Sequence, residues 1–139
     1  MLTSTFLCSL LLCSIIPSST ARYILEDDHD PQGILDAFDF FSDRDPTNGF
    51  VKYVDRDTAE RTGLVRVVGD SLYMGVDYKA ITPEGRPSVR ITSRKAYNTG
   101  LVVLDLSHMP GGICGTWPAF WSFGPDWPNR WGKNFILSY

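Results

Sequence analysis

One aromatic stretch limits the possible fold more than any other part of the chain. It reads PGGICGTWPAFWSFGPDWPNR, from Pro110 to Arg130, and contains three tryptophans and two phenylalanines among prolines and glycines. A long helix is excluded, because each interior proline removes a backbone N–H donor and clashes with the preceding turn. The stretch is therefore predicted to be extended, with turns at Gly111-Gly112 and Gly124-Pro125.

If residues 117–123 form a strand, side chains alternate between its two faces. One face then carries Trp117, Ala119, Trp121 and Phe123, and the other carries Pro118, Phe120 and Ser122. These rings either belong to a hydrophobic core or form an exposed surface for the apolar face of a sugar ring. Burial tendencies of large aromatic residues favour the core. Physical reasoning on this stretch alone does not identify a function.

The remainder of the chain from Phe38 onward has the pattern of short strands separated by Gly, Pro, Asn or Asp. The predicted strands cover residues 39–42, 50–54, 64–68, 72–76, 88–92 and 100–106. Residues 45–49 are predicted as a turn, and residues 58–62 as a short irregular or single-turn piece that ends at Gly63. Many short strands without a long helical period indicate a β-sandwich or barrel. Within 88–92, Val89 and Ile91 are expected to face inward, and Arg90, taken alone, is expected to be solvated.

The first 21 residues are predicted to be a secretory signal. An apolar run from Phe6 to Ile16 is followed by Pro17 and by small residues at Ser19 and Ala21, which favours cleavage after Ala21. The run is too short to anchor the chain in a bilayer. We therefore expect a secreted protein with no membrane partner after cleavage.

Charge argues against other partners. The net charge of −3 disfavours binding to nucleic acid or to an anionic membrane. Residues 22–33 form an acidic segment, for which solvation is favoured over cation binding because the spacing fits no calcium loop. Cys114 is the one cysteine after the signal, and is either a buried thiol or the partner of a cysteine elsewhere.

Four segments resemble one family in the order in which they occur along the chain. They are DFFSDRDPTNGFVKYVDRDTAERTGL, YMGVDYK, GRPSVRITSRKAYNTGLVVLDLSHMP and HMPGGICGTWPAFWSFGPDWPN. Together they cover the chain from about Ile34 to Asn129, and they resemble the fungal secreted endo-β-1,3(4)-glucanases of the laminarinase-like branch of glycoside hydrolase family 16.

The resemblance implies an all-β fold, a concanavalin-like β-sandwich jelly roll, of which residues 34–130 would form about the N-terminal half. It also implies retaining hydrolysis of β-1,3 or β-1,3/1,4-glucan without a cofactor or a metal. On this basis Trp121 and Trp127 are predicted to stack on sugars, and Trp117 and Arg90 are further candidates for the cleft.

The chain departs from the family at the catalytic motif. The family carries Glu-x-Asp-x-x-Glu shortly after Asp-Trp-Pro-Asn, whereas no Asp or Glu follows Asp126 here. We therefore expect no catalytic residue in this chain, little activity and poor solubility. Residues 131–139, WGKNFILSY, are predicted to come from a shifted reading frame or an unspliced intron.

Two other functions stay open. The chain could be a non-catalytic β-glucan-binding protein, which would bind insoluble glucan without releasing reducing ends. It could also be an aromatic-rich β-domain without affinity for sugars, in which case laminari-oligosaccharides would not quench its tryptophan fluorescence.

Overall fold

A computed structural model describes residues 22–112, residues 114–124 and the backbone of residues 134–138. Within these residues the elements are, in chain order, α1 (Pro31–Ala37), β1 (Phe38–Phe40), β2 (Val51–Tyr53), α2 (Arg56–Arg61), β3 (Val65–Val68), β4 (Ser71–Met74), β5 (Arg86–Ser88), β6 (Arg90–Ser93), β7 (Ala119–Phe123) and β8 (Asn134–Ser138). Strands dominate and the helices are short, which confirms the predicted all-β class. The predicted signal, residues 1–21, lies outside the described residues.

Three sheets organise the described strands. The largest has the order β1-β6-β8-β7, and all of its neighbours run antiparallel. Strands β2 and β5 pair in parallel, and β3 and β4 form an antiparallel hairpin. Gly69 begins the two-residue loop of this hairpin with a φ of 58°, in the left-handed region that such tight turns need at their first position.

Strand β8 lies in the segment for which the sequence predicted no structure. It occupies an inner position of the largest sheet, where it pairs with β6 on one side and with β7 on the other. The prediction that this tail comes from a shifted frame or an intron stays a prediction. Its secondary structure, however, is that of a strand.

Both helices begin at an aspartate that accepts a hydrogen bond from the first turn. Asp30 accepts from the backbone N–H of Gly33 at 2.6 Å, and Asp55 accepts from that of Thr58 at 2.7 Å. Such N-caps satisfy amide groups that have no partner within the helix. Helix α2 ends just before Gly63, as predicted, but it begins at Arg56, two residues before the predicted piece.

The buried core joins α1, α2 and the strands. Its members are Leu35, Phe38, Val54, Ala59, Leu64, Val65, Val89 and Ile91. Val89 and Ile91 are fully enclosed, as their alternation predicted. The core therefore lies on one side of β6, and the other side of the strand is available for the site described below.

Residues 100–106 contradict the sequence prediction, since they form no strand. Leu101 and Val103 are exposed to 64% and 80%. No strand among the described residues pairs with this segment, so its backbone lacks the hydrogen-bonding ladder that stabilises an extended chain. High β propensity alone did not decide its conformation.

The acidic N-terminal segment is exposed but is not simply solvated. Lys95 forms ion pairs of 2.7 Å with both Glu26 and Asp27, and the Tyr97 hydroxyl donates to Asp27 at 2.8 Å. These contacts attach the segment to the chain that follows β6. Within the described part of the chain, no helix has the length and apolar character needed to cross a membrane.

Candidate substrate-binding site

Arg90 is the central residue of the candidate site. It begins β6, between the inward-facing Val89 and Ile91, so its side chain emerges on the opposite face of the strand. That side chain is only 7% exposed, so the expectation of a solvated arginine was wrong. Side chains from distant parts of the sequence cover it, which strand alternation alone does not reveal.

Three aromatic rings surround the Arg90 guanidinium. Its central carbon lies 4.4 Å from the ring centroid of Phe41, 5.4 Å from that of Trp121 and 5.8 Å from that of Tyr53. We call these four residues the Arg90 cluster. The negative face of an aromatic ring attracts a cation, and a desolvated contact of this kind contributes about 2 kcal/mol.

Backbone hydrogen bonds hold two of the rings in place. The Phe41 amide donates to the Arg90 carbonyl at 2.9 Å, directly after β1 ends. The Val54 amide, next to Tyr53, donates to the Ser88 carbonyl at 3.1 Å. The two rings also contact each other edge to face, with centroids 5.6 Å apart. The cluster is therefore built on paired strands, which restricts its movement.

A buried carboxylate faces the cluster. Asp45 Oδ1 lies 4.0 Å from Arg90 Nη1, and both side chains are 7% exposed. Asp45 Oδ2 accepts hydrogen bonds from the Thr47 hydroxyl at 2.5 Å and from the Gly49 amide at 2.7 Å. By contrast, Arg90 Nε is buried and has no hydrogen-bond partner among the described residues. Such an unsatisfied donor is rare in proteins and marks a position where a ligand atom could accept a hydrogen bond.

The environment shifts two pKa values in the site. Burial alone would raise the pKa of Asp45, but hydrogen bonds from Thr47 and Gly49, together with the charge of Arg90, hold it below its usual value. Burial raises the pKa of the Tyr53 phenol, and the negative charge of Asp45 adds to this effect. Asp45 is therefore anionic and Tyr53 neutral at physiological pH.

Strand β7 brings the predicted aromatic surface to this site. The rings of Trp121 and Phe123 lie 5.0 Å apart, which confirms that they share a face. Trp121 is 40% exposed and Phe120 is 36% exposed. The interpretation as ordinary core is therefore wrong for Trp121 and Phe120, whose rings are partly open to solvent, whereas Phe123 is half-buried.

The other predicted residues are not part of this cluster. Trp117 precedes β7 and is 86% exposed. Trp127 lies outside the described residues. Cys114 is exposed and unpaired, which contradicts its interpretation as a buried thiol.

A groove of about 670 Å³ is lined by Tyr53 together with Lys52, Asp55 and Asp77. Its carboxylates already have local partners: Asp55 caps α2, and Asp77 accepts from the amides of Lys79 and Ala80. The unsatisfied charged donor lies instead in the Arg90 cluster. We therefore place the candidate site there.

Sequence reasoning missed three residues of the site. Asp45 was recognised only as the start of a turn, and Phe41 and Tyr53 only as strand residues. The turn signal could have predicted the hydrogen bonds of Asp45 to Thr47 and Gly49, since aspartate commonly binds nearby backbone and hydroxyl groups. No local signal links any of the three to Arg90.

Comparison with known proteins identifies the family. Residues 38–132 match the XgeA-like, catalytic GH16 domain, so the match includes every residue of the Arg90 cluster. The chain belongs to glycoside hydrolase family 16. Over 117 residues it is 50% identical to endo-1,3(4)-beta-glucanase xgeA of Emericella nidulans, covering 81% of this chain and 19% of that protein.

Solved structures of family 16 proteins are also similar. An elongating family 16 β-1,3-glucosyltransferase is 52% identical, with a TM-score of 0.72 over 77% of this chain and 37% of that one. Laminarinase 16A of Phanerochaete chrysosporium, solved with two β-glucans in its donor and acceptor sites, is 44% identical, with a TM-score of 0.73 over 78% and 38% of the two chains. The predicted jelly-roll β-sandwich of family 16 is thereby confirmed.

The chain is short relative to these proteins. It spans 18% to 26% of the length of the fungal glucanases that it matches. The activity and substrates of those longer proteins are therefore considered for this chain only as proposals.

Proposed function

We propose that this family 16 chain is part of a secreted endo-β-1,3(4)-glucanase-like hydrolase that acts on β-1,3 or β-1,3/1,4-glucan. The observation that carries the proposal is the partly exposed Trp121 ring beside the buried Arg90 guanidinium, whose Nε has no partner among the described residues. An aromatic face packs against the apolar face of a sugar ring, and a guanidinium donates to sugar oxygens. Similarity to the xgeA glucanase and to the glucan-bound laminarinase supports this choice of substrate.

The chemistry of retaining hydrolysis assigns these residues a binding role. Such hydrolysis needs two carboxyl groups about 5–5.5 Å apart, one as nucleophile and one as acid and base. The sequence contains no Glu-x-Asp-x-x-Glu. Asp45 is not a substitute, because its pKa is lowered and its oxygens already face Thr47, Gly49 and Arg90. We infer that the 139 residues bind glucan and do not cleave it.

Binding and cleavage can be measured on the same sample. The 139-residue chain is incubated with insoluble β-1,3-glucan, and the bound fraction and the release of reducing ends are both recorded. We expect retention on β-1,3-glucan, much less retention on chitin, and no new reducing ends. Failure to bind contradicts the proposed function. Reducing ends, or oligosaccharides longer than those supplied, would show hydrolysis or transfer by these residues and contradict a pure binding role.

The second candidate is a non-catalytic β-glucan-binding protein, which the lack of the carboxylate motif favours. Sequencing the transcript across the codon for Arg130 distinguishes the two. A message that encodes Glu-x-Asp-x-x-Glu within the next residues supports the glucanase. A message that encodes only WGKNFILSY and then stops supports the binding protein.

Secretion is a separate part of the proposal. It is supported by the apolar run from Phe6 to Ile16 and by the small residues before Arg22. Amino-terminal sequencing of the protein recovered from the culture medium tests it. We expect a new amino terminus at Arg22, whereas a chain that stays in the cells and begins at Met1 contradicts secretion.

A further inference from the structure

The buried Asp45 is positioned by its own turn rather than by Arg90. The Asn48 amide donates to the Asp45 carbonyl at 3.0 Å, which closes the turn. Two further donors, the Thr47 hydroxyl and the Gly49 amide, both bind Oδ2. Two short bonds to one oxygen fix the carboxylate and leave Oδ1 as the oxygen nearest to Arg90.

Gly49 makes this arrangement possible. A Cβ atom at residue 49 would lie 2.8 Å from Asp45 Oδ2, closer than non-bonded atoms normally approach. Only glycine therefore lets the residue 49 amide and the carboxylate meet without displacement. The position of the charge opposite Arg90 is consequently set by the local sequence of residues 45–49.

The fixed charge restricts how the Arg90 guanidinium is oriented. Asp45 attracts Nη1, and the aromatic rings of the Arg90 cluster surround the central carbon. Arg90 also interacts with the Tyr53 hydroxyl. Among its five N–H donors, the one at Nε is buried and has no partner among the described residues. Because the guanidinium is planar and rigid, fixing Nη1 and the ring contacts also fixes the direction in which Nε–H points. A buried donor without a partner is destabilising, and an acceptor oxygen on a ligand would offset this cost.

We propose that Asp45 is a positioning residue, which orients Arg90 so that its Nε–H donates to an oxygen of the bound glucan. This inference rests on the proposed function, because it assumes that a β-glucan occupies the site. Asp45 itself does not contact the sugar. At 4.0 Å its attraction to Nη1 is an ion pair beyond hydrogen-bonding distance, so Asp45 supplies charge and direction.

A double-mutant cycle on glucan binding tests the positioning role. Binding of laminarihexaose is measured by tryptophan fluorescence for the wild type, Asp45→Asn, Arg90→Lys and the double variant. We expect Asp45→Asn to raise the Kd about tenfold, and to have little further effect once Arg90 is replaced. Unchanged binding by Asp45→Asn, or fully additive effects in the double variant, would overturn the proposal.

Two more variants control for folding. Thr47→Val removes a donor to Asp45 at an exposed position, and is expected to raise the Kd two- to threefold without disrupting the fold. Asp39→Asn removes an exposed carboxylate that pairs with Arg94 at 2.7 Å, and is expected to leave the Kd unchanged. An equal effect of Asp39→Asn would indicate a general change of charge and contradict the specific role of Asp45.

A measurement without glucan separates this proposal from the proposed function. The Nε–H resonance of Arg90 is recorded by NMR in the wild type and in Asp45→Asn. We expect faster exchange with water and a shifted resonance in the variant, because the guanidinium loses its orientation. Absence of binding by the wild type contradicts the proposed function. An unchanged Nε–H resonance overturns the positioning role, whatever the wild type binds.

Discussion

The guanidinium carbon of Arg90 lies 5.4 Å from the centroid of the Trp121 ring, although their strands are not neighbours. Strand β8 lies between β6 and β7 in the sheet, so the two side chains meet across an intervening strand. They were predicted as site residues for separate reasons, one as a possible donor and one as a stacking ring. Their contact makes them parts of one surface.

The first prediction concerns Trp121. Trp121→Ala removes the partly exposed ring and its contact with Arg90, so we expect the Kd for laminarihexaose to rise about tenfold, a loss of about 1.4 kcal/mol. Because this variant removes a tryptophan and so changes the fluorescence signal itself, the Kd is measured by isothermal titration calorimetry.

Phe120→Ala is the matched control for Trp121. Phe120 is adjacent in β7, is exposed to a similar extent, and points to the other face of the strand. We expect its replacement to leave the Kd unchanged. Equal losses for the two variants would show that β7 contributes through stability and not through the Trp121 ring.

The second prediction concerns the charge of Arg90. Arg90→Met keeps an apolar stem but leaves Asp45 buried without its counter-charge, which costs about 3 kcal/mol of unfolding free energy at pH 7. The folded-state pKa of Asp45 lies below its ordinary value of 3.8, so its charged form stabilises the wild type above that pH. This contribution is lost as the pH falls through the folded pKa.

The stability deficit of Arg90→Met should therefore be largest above pH 3.8 and shrink at lower pH. Urea unfolding of both proteins between pH 7 and pH 3 measures it. The additional change Asp45→Asn should recover part of the loss at pH 7, because it removes the unpaired charge. A deficit that does not change with pH would contradict an electrostatic origin.

Local patterns predicted the parts of the fold that depend on local physics. Alternation gave the inward faces of Val89 and Ile91, and Gly and Asp residues gave the turns at 45–49 and at Gly63. The shared face of Trp121 and Phe123 followed from the same period of two. These features need only the backbone geometry of a few consecutive residues.

The environment of Arg90 could not be predicted in this way. Its covering rings come from residues 41, 53 and 121, which the sheet topology brings together and no spacing along the chain indicates. The strand prediction for the exposed segment 100–106 was wrong for a related reason, because a strand requires a pairing partner as well as β propensity. The candidate site was therefore predicted as separate residues, and its assembly was not.

The third prediction concerns Gly85, the residue immediately before β5. Its φ of 110° is unfavourable for other residues, and a Cβ there would lie 3.0 Å from the backbone carbon of Val51 in β2. Gly85→Ala would strain the backbone and separate the two parallel strands, at a cost of about 3 kcal/mol of unfolding free energy. Denaturant unfolding is the measurement.

Gly63→Ala is a control that separates the cost of a positive φ from the cost of a steric clash of the new Cβ. Gly63 has a φ of 74°, but no atom lies within 4 Å of the position of its Cβ. Its replacement carries the conformational cost alone, about 1 kcal/mol. If both variants lose the same stability, the close approach of Gly85 to Val51 contributes nothing.

The last prediction concerns the attachment of the N-terminal segment through Asp27. The hydrogen bond from Lys95, followed by that from Tyr97, holds the pKa of Asp27 below its usual 3.8, and the same pairing raises the pKa of Lys95. Both groups are therefore charged, and the Asp27–Lys95 ion pair is fully formed, at pH values between the two folded-state pKa values. It is lost as the pH falls through the folded pKa of Asp27, or rises through that of Lys95.

NMR titration of the Asp27 carboxyl carbon measures this directly. We expect a midpoint below 3.8 in the wild type, and a higher midpoint in Lys95→Met, because the variant lacks the ammonium that stabilises the carboxylate. Lys79→Met removes another exposed lysine, which lies over the Tyr78 ring and is not among the groups that shift the pKa of Asp27, and should leave the midpoint unchanged. A wild-type midpoint at the ordinary value would show that Lys95 does not hold the N-terminal segment in solution.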